Sequence, residues 1–574
     1  MIPLDSYPAE AWRPNQRDGA ELICAAATSG QEIRIGIDAP CGSGKSLMAL
    51  RAALSPHCPP CNILSTTRAH LRQYEQTLQE HYPELEGKAG GWAILRGRSF
   101  YACCGSAAAK AKGRGAAPAQ FAADADPSEE WIGSRKCPRG EGCLYRQAII
   151  KAGAAKLVLQ CTIGFLYRRR FWGEIELNEQ ASEEVQLLHE SRLAITQREL
   201  IILDEAHEYL RVRREFELER LAFWPEMCSP EFGAMCAKER TKSGGYKASY
   251  VVLEPGSRLR EALERELLIL LTPAKLEAAR PHRKLSDQEW AELKVKWQEK
   301  LKARLALIAD DPAREIPPVI SLQFNEFAGK FGNSCELVSE PLFAFVKERL
   351  ARCEVFMSAT LKEVAPLLKI PPDCVRKYPE IFDWASAVTV NPLEDPNADS
   401  RKNVPLGAEQ LEALYNVPGR PLTLVLYMAK AHANAAVKGW GMKAKSLLIQ
   451  SDQSELSDLI ERARQWGRRA DDGEAAPMLV CYGGWVGTDL PGAKWLVIGS
   501  APKSPISPHH EARQLRGRGS AWNDAEKISL DRTQLAQGLG RMLRSNTDTG
   551  TLIWIDSQAF RDLGLCATTG RVSD

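Results

Sequence analysis

A glycine-rich segment, Asp38-Ala-Pro-Cys-Gly-Ser-Gly-Lys-Ser46, predicts a site for phosphate groups. An apolar run, Ile33 to Ile37, precedes it and a helix-like run, Leu47 to Ala53, follows, as a phosphate-binding loop between a strand and a helix requires. Glycine lets backbone amides curl around phosphate oxygens, and the helix N-terminus favours negative charge. The residues predicted to form the cradle are Pro40, Cys41, Gly42, Ser43 and Gly44, and Ala39 stands where the usual first glycine would be.

Four further side chains indicate how the phosphates would be bound and hydrolysed. Lys45 is predicted to reach the β- and γ-phosphates of a nucleotide, and Ser46 to bind Mg²⁺. A second apolar run ends in Asp204-Glu-Ala-His207, where Asp204 would hold Mg²⁺ through water and Glu205 would orient and deprotonate an attacking water. His207 has two interpretations, as a member of this site or as a packed histidine bonded to a neighbour.

Length and composition place the chain among globular proteins of several domains. Its 574 residues predict about three to four domains, and 44% hydrophobic with 26% charged residues excludes a largely disordered chain. The formal net charge of +2 excludes a uniformly basic nucleic-acid coat but not a local basic groove. No apolar run approaches the ~18 residues of a membrane span, and no secretory signal is recognisable. We therefore expect a cytoplasmic protein whose 16 cysteines are thiols or metal ligands.

Short runs rich in Ile, Val and Leu, each followed by polar or glycine residues, predict strands buried on both faces of parallel sheets. The runs are Ile33 to Ile37, Ile63 and Leu64, Leu200 to Leu203, Val355 to Met357, Leu422 to Tyr427, Met478 to Tyr482, Trp495 to Ile498 and Leu552 to Ile555. They form an early and a late group, which predicts an α/β fold with two lobes. Residues 101–150 and 208–350 break the pattern, and we interpret both as insertions into the first lobe. The second insertion has a mostly helical character, with helical spacing in Leu259 to Leu271 and Trp290 to Ile308.

Six segments, taken in order, resemble the motifs of one enzyme family. They are Arg13-Pro-Asn-Gln16, Ser65-Thr-Thr-Arg-Ala-His-Leu-Arg-Gln73 (motif Ia), Asp204-Glu-Ala-His207 (the DEAH box), Ser358-Ala-Thr360 (motif III), Gly487-Thr-Asp-Leu-Pro-Gly492 (motif V) and Gln537-Gly-Leu-Gly-Arg-Met-Leu-Arg544 (motif VI). Together with the phosphate loop they resemble the superfamily 2 DNA helicases of the XPD/DinG-like (Rad3-related) group. That resemblance implies two RecA-like P-loop lobes with parallel sheets, ATP and Mg²⁺ as cofactors, and single-stranded and duplex DNA as partners. It also implies a monomer that moves 5′ to 3′.

The resemblance assigns domains and further site residues. The first lobe would carry an iron–sulfur-type domain between motifs Ia and II and a helical arch between motifs II and III. The expected boundaries are 1–100, 151–207 and 351–375 for the first motor lobe, 101–150 for the iron–sulfur-type domain, 208–350 for the arch and 376–574 for the second lobe. The residues that would contact or sense the nucleotide are Arg13, Gln16 and Asp489. Those that would contact DNA through the motifs are Thr66, Thr67, Ser358 and Thr360.

The spacing of motif VI suggests a physical use. Gln537, Arg541 and Arg544 are four and three positions apart, so on a helix they share one face. Arginines from the second lobe would stabilise the charge that develops on the γ-phosphate, as arginine fingers do. An ordinary basic helix face has the same pattern, but the position of the segment after the second-lobe strands favours the catalytic interpretation.

Cysteines in the first insertion could hold a [4Fe–4S] cluster, which needs four thiolates at one point. The candidates are Cys103, Cys104, Cys137 and Cys143. Adjacent side chains such as Cys103 and Cys104 usually diverge, so two interpretations stay open: a bound cluster, or a vestigial domain that folds without metal. Vestigial cluster domains are a feature of the DinG proteins of type IV CRISPR systems, so the resemblance extends to that subgroup and to a CRISPR effector ribonucleoprotein as a partner. The lone pair Cys58-Pro-Pro-Cys61 cannot complete a zinc site and is predicted to lie in a loop before the motif Ia strand.

Three basic segments are candidates for DNA contact. Tyr167-Arg-Arg-Arg-Phe-Trp172 interleaves aromatic residues with arginines, among them Arg168 and Arg169, as single-strand binding by charge and stacking requires. A solvated loop with buried aromatics is the alternative. The other two are the set Lys110, Lys112 and Arg114, which a mobile solvated cluster would equally explain, and the set Arg513, Arg516 and Arg518. We expect backbone contacts with weak sequence preference.

The function predicted from the sequence is an ATP-dependent DNA helicase that translocates 5′ to 3′ on single-stranded DNA and unwinds duplexes, with type IV CRISPR interference as its setting. One alternative is a DNA-stimulated translocase that remodels protein–DNA complexes with the same motor motifs. Another is a recruited scaffold of a CRISPR effector complex, against which the intact catalytic residues Glu205 and Arg541 argue.

Overall fold

The fold is taken from a computed structural model, which describes most but not all of the chain. The described residues are 2–8, 11–40, 42–97, 144–172, 183–217, 219–223, 231–232, 235, 250–253, 256–278, 286–308, 319–325, 334–340, 349–366, 368–379, 383–394, 405–438, 446–450, 456–470, 476–482, 493–502, 531–536, 538–540, 543, 548–569 and 571. Among them, no helix is both long and apolar enough to cross a bilayer.

The strands and helices follow one another as the apolar runs predict. In chain order the strands are β1 (Ile33–Asp38), β2 (Cys61–Ser65), β3 (Trp92–Leu95), β4 (Leu157–Cys161), β5 (Leu200–Asp204), β6 (Glu219–Phe223), β7 (Tyr250–Val252), β8 (Val319–Asn325), β9 (Ser334–Glu340), β10 (Cys353–Ser358), β11 (Val375–Lys377), β12 (Val388–Leu393), β13 (Thr423–Tyr427), β14 (Leu447–Ile449), β15 (Met478–Tyr482), β16 (Trp495–Ile498) and β17 (Gly550–Ile555). The α-helices are α1 (Gln16–Thr28), α2 (Lys45–Leu54), α3 (Arg68–His81), α4 (Leu144–Ala154), α5 (Thr162–Trp172), α6 (Glu183–Thr196), α7 (Ala206–Glu217), α8 (Arg258–Leu270), α9 (Pro273–Ala278), α10 (Asp287–Ile308), α11 (Leu361–Val364), α12 (Trp384–Ala387), α13 (Ala408–Tyr415), α14 (Lys430–Val437), α15 (Leu456–Ala470) and α16 (Gln558–Asp562).

The first sheet has seven parallel strands in the order β11-β1-β10-β5-β2-β4-β3. Its central strands are apolar and buried, because helices cover both faces of a sheet built from parallel crossovers. In the register of the pairing, Asp38 lies opposite Ser358 and Met357 lies opposite Asp204. The carboxyl ends of β1, β10, β5 and β2 therefore meet at one edge, where parallel α/β sheets bind their ligands.

A buried ion pair fastens two neighbouring strands of this sheet. Arg34 of β1 and Glu354 of β10 are both nearly inaccessible, and Arg34 Nε lies 2.6 Å from Glu354 Oε2. The second carboxylate oxygen accepts a hydrogen bond of 2.7 Å from the backbone N–H of Leu350. Each charge is thus paired inside the core, as a buried charge must be.

The second sheet has six parallel strands in the order β12-β17-β16-β13-β15-β14. Its two faces pack into separate apolar clusters, one around Leu424, Leu496 and Trp554 and the other around Val425, Val480 and Ile553. This sheet and the first confirm the prediction of two parallel-sheet α/β lobes. The predicted runs from Ile33 to Ile555 all lie in these strands, with ends that differ by a few residues.

A second compact unit lies within Arg214–Glu348, and both parallel sheets belong to the first unit. The helices predicted in the second unit are confirmed, since α8 covers Arg258–Leu270 and α10 covers Asp287–Ile308. The unit also contains an antiparallel sheet that the sequence did not predict, in the order β6-β9-β8-β7. These strands mix charged and apolar residues, as in Ser334-Cys-Glu-Leu-Val-Ser-Glu340, and so lack the continuous apolar runs of buried parallel strands.

Candidate functional site

The phosphate loop joins β1 to α2 through two glycines in the left-handed region. Gly42 has φ +77° and Gly44 has φ +79°, conformations that glycine adopts without steric penalty. A Cβ atom on Gly44 would lie 1.8 Å from Nε2 of Gln16, so a side chain here would displace the Gln16 amide. Of the predicted cradle, Pro40, Gly42, Ser43 and Gly44 lie in this loop, and Cys41 lies outside the described residues.

Lys45 is folded back onto the loop that it is predicted to serve. It is buried at the first residue of α2, and its Nζ donates hydrogen bonds to the carbonyl oxygens of Ala39 at 2.8 Å and Pro40 at 3.1 Å. These carbonyls hold the ammonium group at the loop. A phosphate oxygen, being charged, is a stronger acceptor than a carbonyl and would take over one of these bonds.

Arg13 and Gln16 are fastened to the same loop. Gln16 is buried, accepts a hydrogen bond of 2.9 Å from the backbone N–H of Arg13, and donates one of 3.1 Å to the carbonyl of Gly44. The Arg13 guanidinium donates to the carbonyl of Gly42. The two residues predicted to contact or sense nucleotide therefore touch the backbone of the phosphate loop directly.

Asp204 lies at the end of β5, within reach of α2. Its Oδ2 atom accepts a hydrogen bond of 3.4 Å from Ser46 Oγ, and its Oδ1 atom accepts one of 2.9 Å from the backbone N–H of Glu205. The structure thus brings together the hydroxyl and the carboxylate that were predicted to hold Mg²⁺. Oxygen donors of this kind fit a magnesium ion, which is bound by one or two carboxylates and otherwise by water and phosphate oxygens.

Two residues of α3 also contact Asp204, and sequence reasoning missed both. The Tyr74 hydroxyl donates to Asp204 Oδ2 at 2.5 Å, and His70 Nε2 lies 3.3 Å from the same atom. Burial, with Asp204 adjacent, raises the pKa of Tyr74 well above its usual range, so the phenol stays a proton donor. The signal that could have found them is their spacing of four on the helix that begins within motif Ia, which places them on one face.

Glu205 and His207 connect the end of β5 to the end of β10. Glu205 has φ +55°, a left-handed conformation that a residue other than glycine adopts at a cost of about 1–3 kcal/mol. His207 Nδ1 lies 3.5 Å from Glu205 Oε2 and 3.0 Å from Ser358 Oγ. His207 is thus a buried histidine bonded to a neighbour, and that neighbour belongs to motif III.

The residues expected to contact DNA have local roles in the first lobe. Thr67 caps α3 by accepting a hydrogen bond of 3.2 Å from the N–H of His70. Ser358 Oγ and Thr360 Oγ1 are 3.2 Å apart and share a hydrogen bond. Thr66 precedes α3 in the turn after β2.

The segment Tyr167–Trp172 is helical, which makes the alternative of a solvated loop wrong. Arg168 is buried and donates to Gln160 Oε1 at 2.8 Å and to the carbonyl of Arg96 at 2.6 Å. Arg169 donates to the carbonyl of Arg349 at 2.8 Å. Tyr167 and Phe171, in contrast, stack on each other at the surface of the helix. The aromatic residues of this segment are therefore better placed for a base than its two named arginines, and their DNA contact stays a prediction.

Several predicted site residues lie outside the described part of the chain. They are Asp489 of motif V, Gln537, Arg541 and Arg544 of motif VI, the cysteines Cys103, Cys104, Cys137 and Cys143, and the basic residues Lys110, Lys112, Arg114, Arg513, Arg516 and Arg518. Within the described ranges, no group of three or more His, Cys, Asp or Glu side chains is arranged to hold a metal ion. The roles that the sequence assigns to those residues stay predictions.

Comparison with known proteins adds a relative and a set of similar folds. No family model matches the chain. It is 26% identical over 211 residues to the probable ATP-dependent helicase YpvA of Bacillus subtilis (strain 168), an alignment that spans 34% of this chain and 30% of the length of that relative.

Solved structures cover much more of the chain. A structure described as an XPD helicase covers 96% of both chains with a TM-score of 0.51 and 13% identity. The structure of S. tokodaii Xpd4 covers 98% of this chain and all of its own, with a TM-score of 0.46 and 14% identity. The match to the XPD helicase structure shows that this chain has the fold of that protein, which confirms at the level of the fold the XPD/DinG-like resemblance of its motifs.

Proposed function

We propose that this protein is an ATP-dependent DNA helicase. The observation that carries the proposal is the meeting of a phosphate loop, with Lys45 buried against it, and the Asp204 carboxylate, 3.4 Å from Ser46. A site of this composition binds a nucleoside triphosphate with Mg²⁺, and the name of the YpvA relative and the XPD-type fold favour a helicase among the proteins that use one.

The described residues divide the chemistry among them. Lys45 would exchange a loop carbonyl for an oxygen of the β- or γ-phosphate, and the amides of the loop would cradle the remaining oxygens. Ser46 and Asp204 would hold Mg²⁺, which when bound neutralises phosphate charge. Glu205, whose carboxylate lies 3.5 Å from His207, would orient and deprotonate the attacking water. Arg541 and Arg544 are proposed to add positive charge at the γ-phosphate from the second lobe.

Motifs Ia and III are proposed to convert this chemistry into movement on DNA. Thr66 and Thr67 stand at the start of α3, and the same helix reaches Asp204 through His70 and Tyr74. Ser358 and Thr360 follow β10, and Ser358 bonds His207 of the DEAH box. A single side chain therefore lies between each of these two motifs and a carboxylate of the predicted ATPase site. The domain boundaries, a 5′ to 3′ direction, a monomeric state and a type IV CRISPR role are proposals that rest on the motif resemblance, and a cytoplasmic setting is a proposal that rests on the sequence.

The first test is ATP turnover of the purified protein with and without single-stranded DNA. We expect DNA to stimulate turnover, and we expect Lys45→Ala to abolish it, because no other described lysine touches the loop carbonyls. Lys151→Ala is the matched control, since Lys151 is exposed on α4. Near-normal turnover by the Lys45 variant would overturn the assignment.

A strand-displacement assay separates the proposed helicase from a translocase that only removes proteins. Substrates with a single-stranded tail at the 5′ or the 3′ end test the direction, and we expect unwinding from the 5′ tail. Displacement of a bound protein without strand separation would favour the remodelling translocase instead.

A further inference from the structure

Two cysteines distant in sequence lie side by side near the C-terminal end of α2. Cys24 is in α1 and Cys58 is in the turn after α2, and their Sγ atoms are 3.0 Å apart. Both residues are buried. That separation exceeds the ~2.05 Å length of a disulfide bond by only about 1 Å. The thiols are therefore close enough to join with a small shift of their side chains.

The packing of α1 on α2 holds the two thiols in place. Gly19 lets α1 approach closely, since a Cβ atom there would lie 2.3 Å from Met48 Sδ. Cys24 Sγ donates to the carbonyl of Ala52 at 3.8 Å. The backbone N–H of Cys58 donates to the carbonyl of Ser55 at 3.2 Å, which closes the turn that brings Cys58 back toward α1.

The two thiols are chemically unequal. The hydrogen bond from Cys58 lowers the pKa of Cys24, with smaller contributions in the same direction from Ser55 and the Lys156 ammonium group. Donating this hydrogen bond to Cys24, together with burial, raises the pKa of Cys58. The pair thus combines a sulfur that favours the thiolate with a neighbouring thiol, a combination suited to thiol oxidation.

A cavity provides access to this pair. Cys58 lines a cavity of about 580 Å³, together with Pro56, Pro60, Lys156 and Arg198. Both basic side chains are partly or largely buried there, and Lys156 also donates to the carbonyl of Ser55. A small oxidant can therefore reach the sulfur without unfolding of the sheet, and a negatively charged one would meet positive charge.

We propose that Cys24 and Cys58 form a redox-active dithiol, a modification site that is separate from the ATPase chemistry. An S–S bond forms between them as the two thiols lose two protons and two electrons. A peroxide accepts both, so that one hydrogen peroxide molecule becomes two water molecules. The disulfide would fasten α1, whose first residue Gln16 contacts Gly44, to the helix α2 that begins with Lys45.

The pair can be tested in the wild-type protein by mass spectrometry. Native protein is treated with hydrogen peroxide, its remaining thiols are alkylated in denaturant, and it is digested with trypsin. Cleavage after arginine places Cys24 alone in residues 18–34 and Cys58 with Cys61 in residues 52–68. We expect these two peptides to be joined with the loss of two hydrogens, and dithiothreitol to separate them.

Two variants and an unfolded control identify the partner. Cys61→Ala should keep the joined peptides and Cys58→Ala should lose them. The native fold should form the link at least about tenfold faster than the same chain in urea, because it holds the thiols together. A disulfide closed within residues 52–68, an unlinked pair, or equal rates in native and unfolded protein would overturn the proposal. None of these readouts depends on ATP turnover.

Discussion

Replacement of Tyr74 by phenylalanine tests whether α3 positions the carboxylate that is predicted to hold Mg²⁺. The change removes only the hydroxyl that donates to Asp204 Oδ2 at 2.5 Å, and the ring stays in its fully buried site. A side chain that hydrogen-bonds a metal-binding carboxylate fixes the orientation of that carboxylate. Without the hydroxyl, Asp204 Oδ2 keeps the hydrogen bond from Ser46 and the contact with His70.

The size of the effect follows from the type of bond that is lost. A hydrogen bond to a charged group contributes about 1.5–3 kcal/mol, and each 1.4 kcal/mol is a factor of ten, so the shift is roughly 10- to 100-fold. We expect the Mg²⁺ concentration for half-maximal ATP turnover to rise by that factor in Tyr74→Phe. Turnover at saturating Mg²⁺ should fall much less, because the loop, Lys45 and Glu205 are unchanged.

The matched control is Tyr82→Phe, which also removes one buried hydroxyl from the first lobe. The Tyr82 hydroxyl shares its hydrogen bond of 2.8 Å with Tyr7 OH. Its Mg²⁺ requirement should match that of the wild type. An unchanged Mg²⁺ requirement in Tyr74→Phe, or an equal shift in both variants, would refute the role assigned to α3.

Three further outcomes are expected. In nucleotide titrations, Gly44→Ala should weaken binding by more than about tenfold, because its Cβ would lie 1.8 Å from Gln16 Nε2. The control Gly30→Ala has a similar φ but meets no atom within 4 Å, so it should bind nucleotide as the wild type does. In urea titrations, Glu354→Gln should lower the free energy of unfolding by about 3–5 kcal/mol, since it leaves Arg34 charged and buried. The control Glu199→Gln, at the exposed pair with Arg352, should change the free energy of unfolding by less than about 1 kcal/mol. For the cysteines of the first insertion, we expect purified protein without iron, as the vestigial interpretation predicts, and about four irons per chain would favour a [4Fe–4S] cluster.

Features that are local in sequence could be predicted, and features that depend on packing could not. The strands β1, β5 and β10 were recognisable because a strand buried on both faces must be apolar along its whole length. The loop with Lys45 and the pair Asp204-Glu205 were recognisable because their chemistry requires adjacent residues. The strands of the second unit escaped notice because one polar face interrupts the apolar pattern.

The contacts that sequence reasoning missed all join distant positions. Tyr74 meets Asp204 across 130 positions, and Cys24 meets Cys58 across 34. The second pair requires the helices α1 and α2 to pack closely, and only the C-x-x-C spacing of Cys58 and Cys61 was visible beforehand. Arg168 shows the converse, since a basic and aromatic segment suggested DNA contact while the fold uses the guanidinium to bond Gln160 and the carbonyl of Arg96.

The order of strands in the first sheet explains why nucleotide chemistry and the proposed DNA contacts can be coupled. Because β10 lies between β1 and β5, its end places Ser358 opposite Asp38 and within 3.0 Å of His207. On the other side of β5, β2 leads directly into α3, whose Tyr74 bonds Asp204. A displacement of either neighbour would therefore alter a hydrogen bond to the segment Asp204–His207. If DNA and nucleotide bind at these two places, the coupling between their binding free energies is reciprocal. The free energy by which DNA would change the affinity for nucleotide is then the same free energy by which nucleotide would change the affinity for DNA.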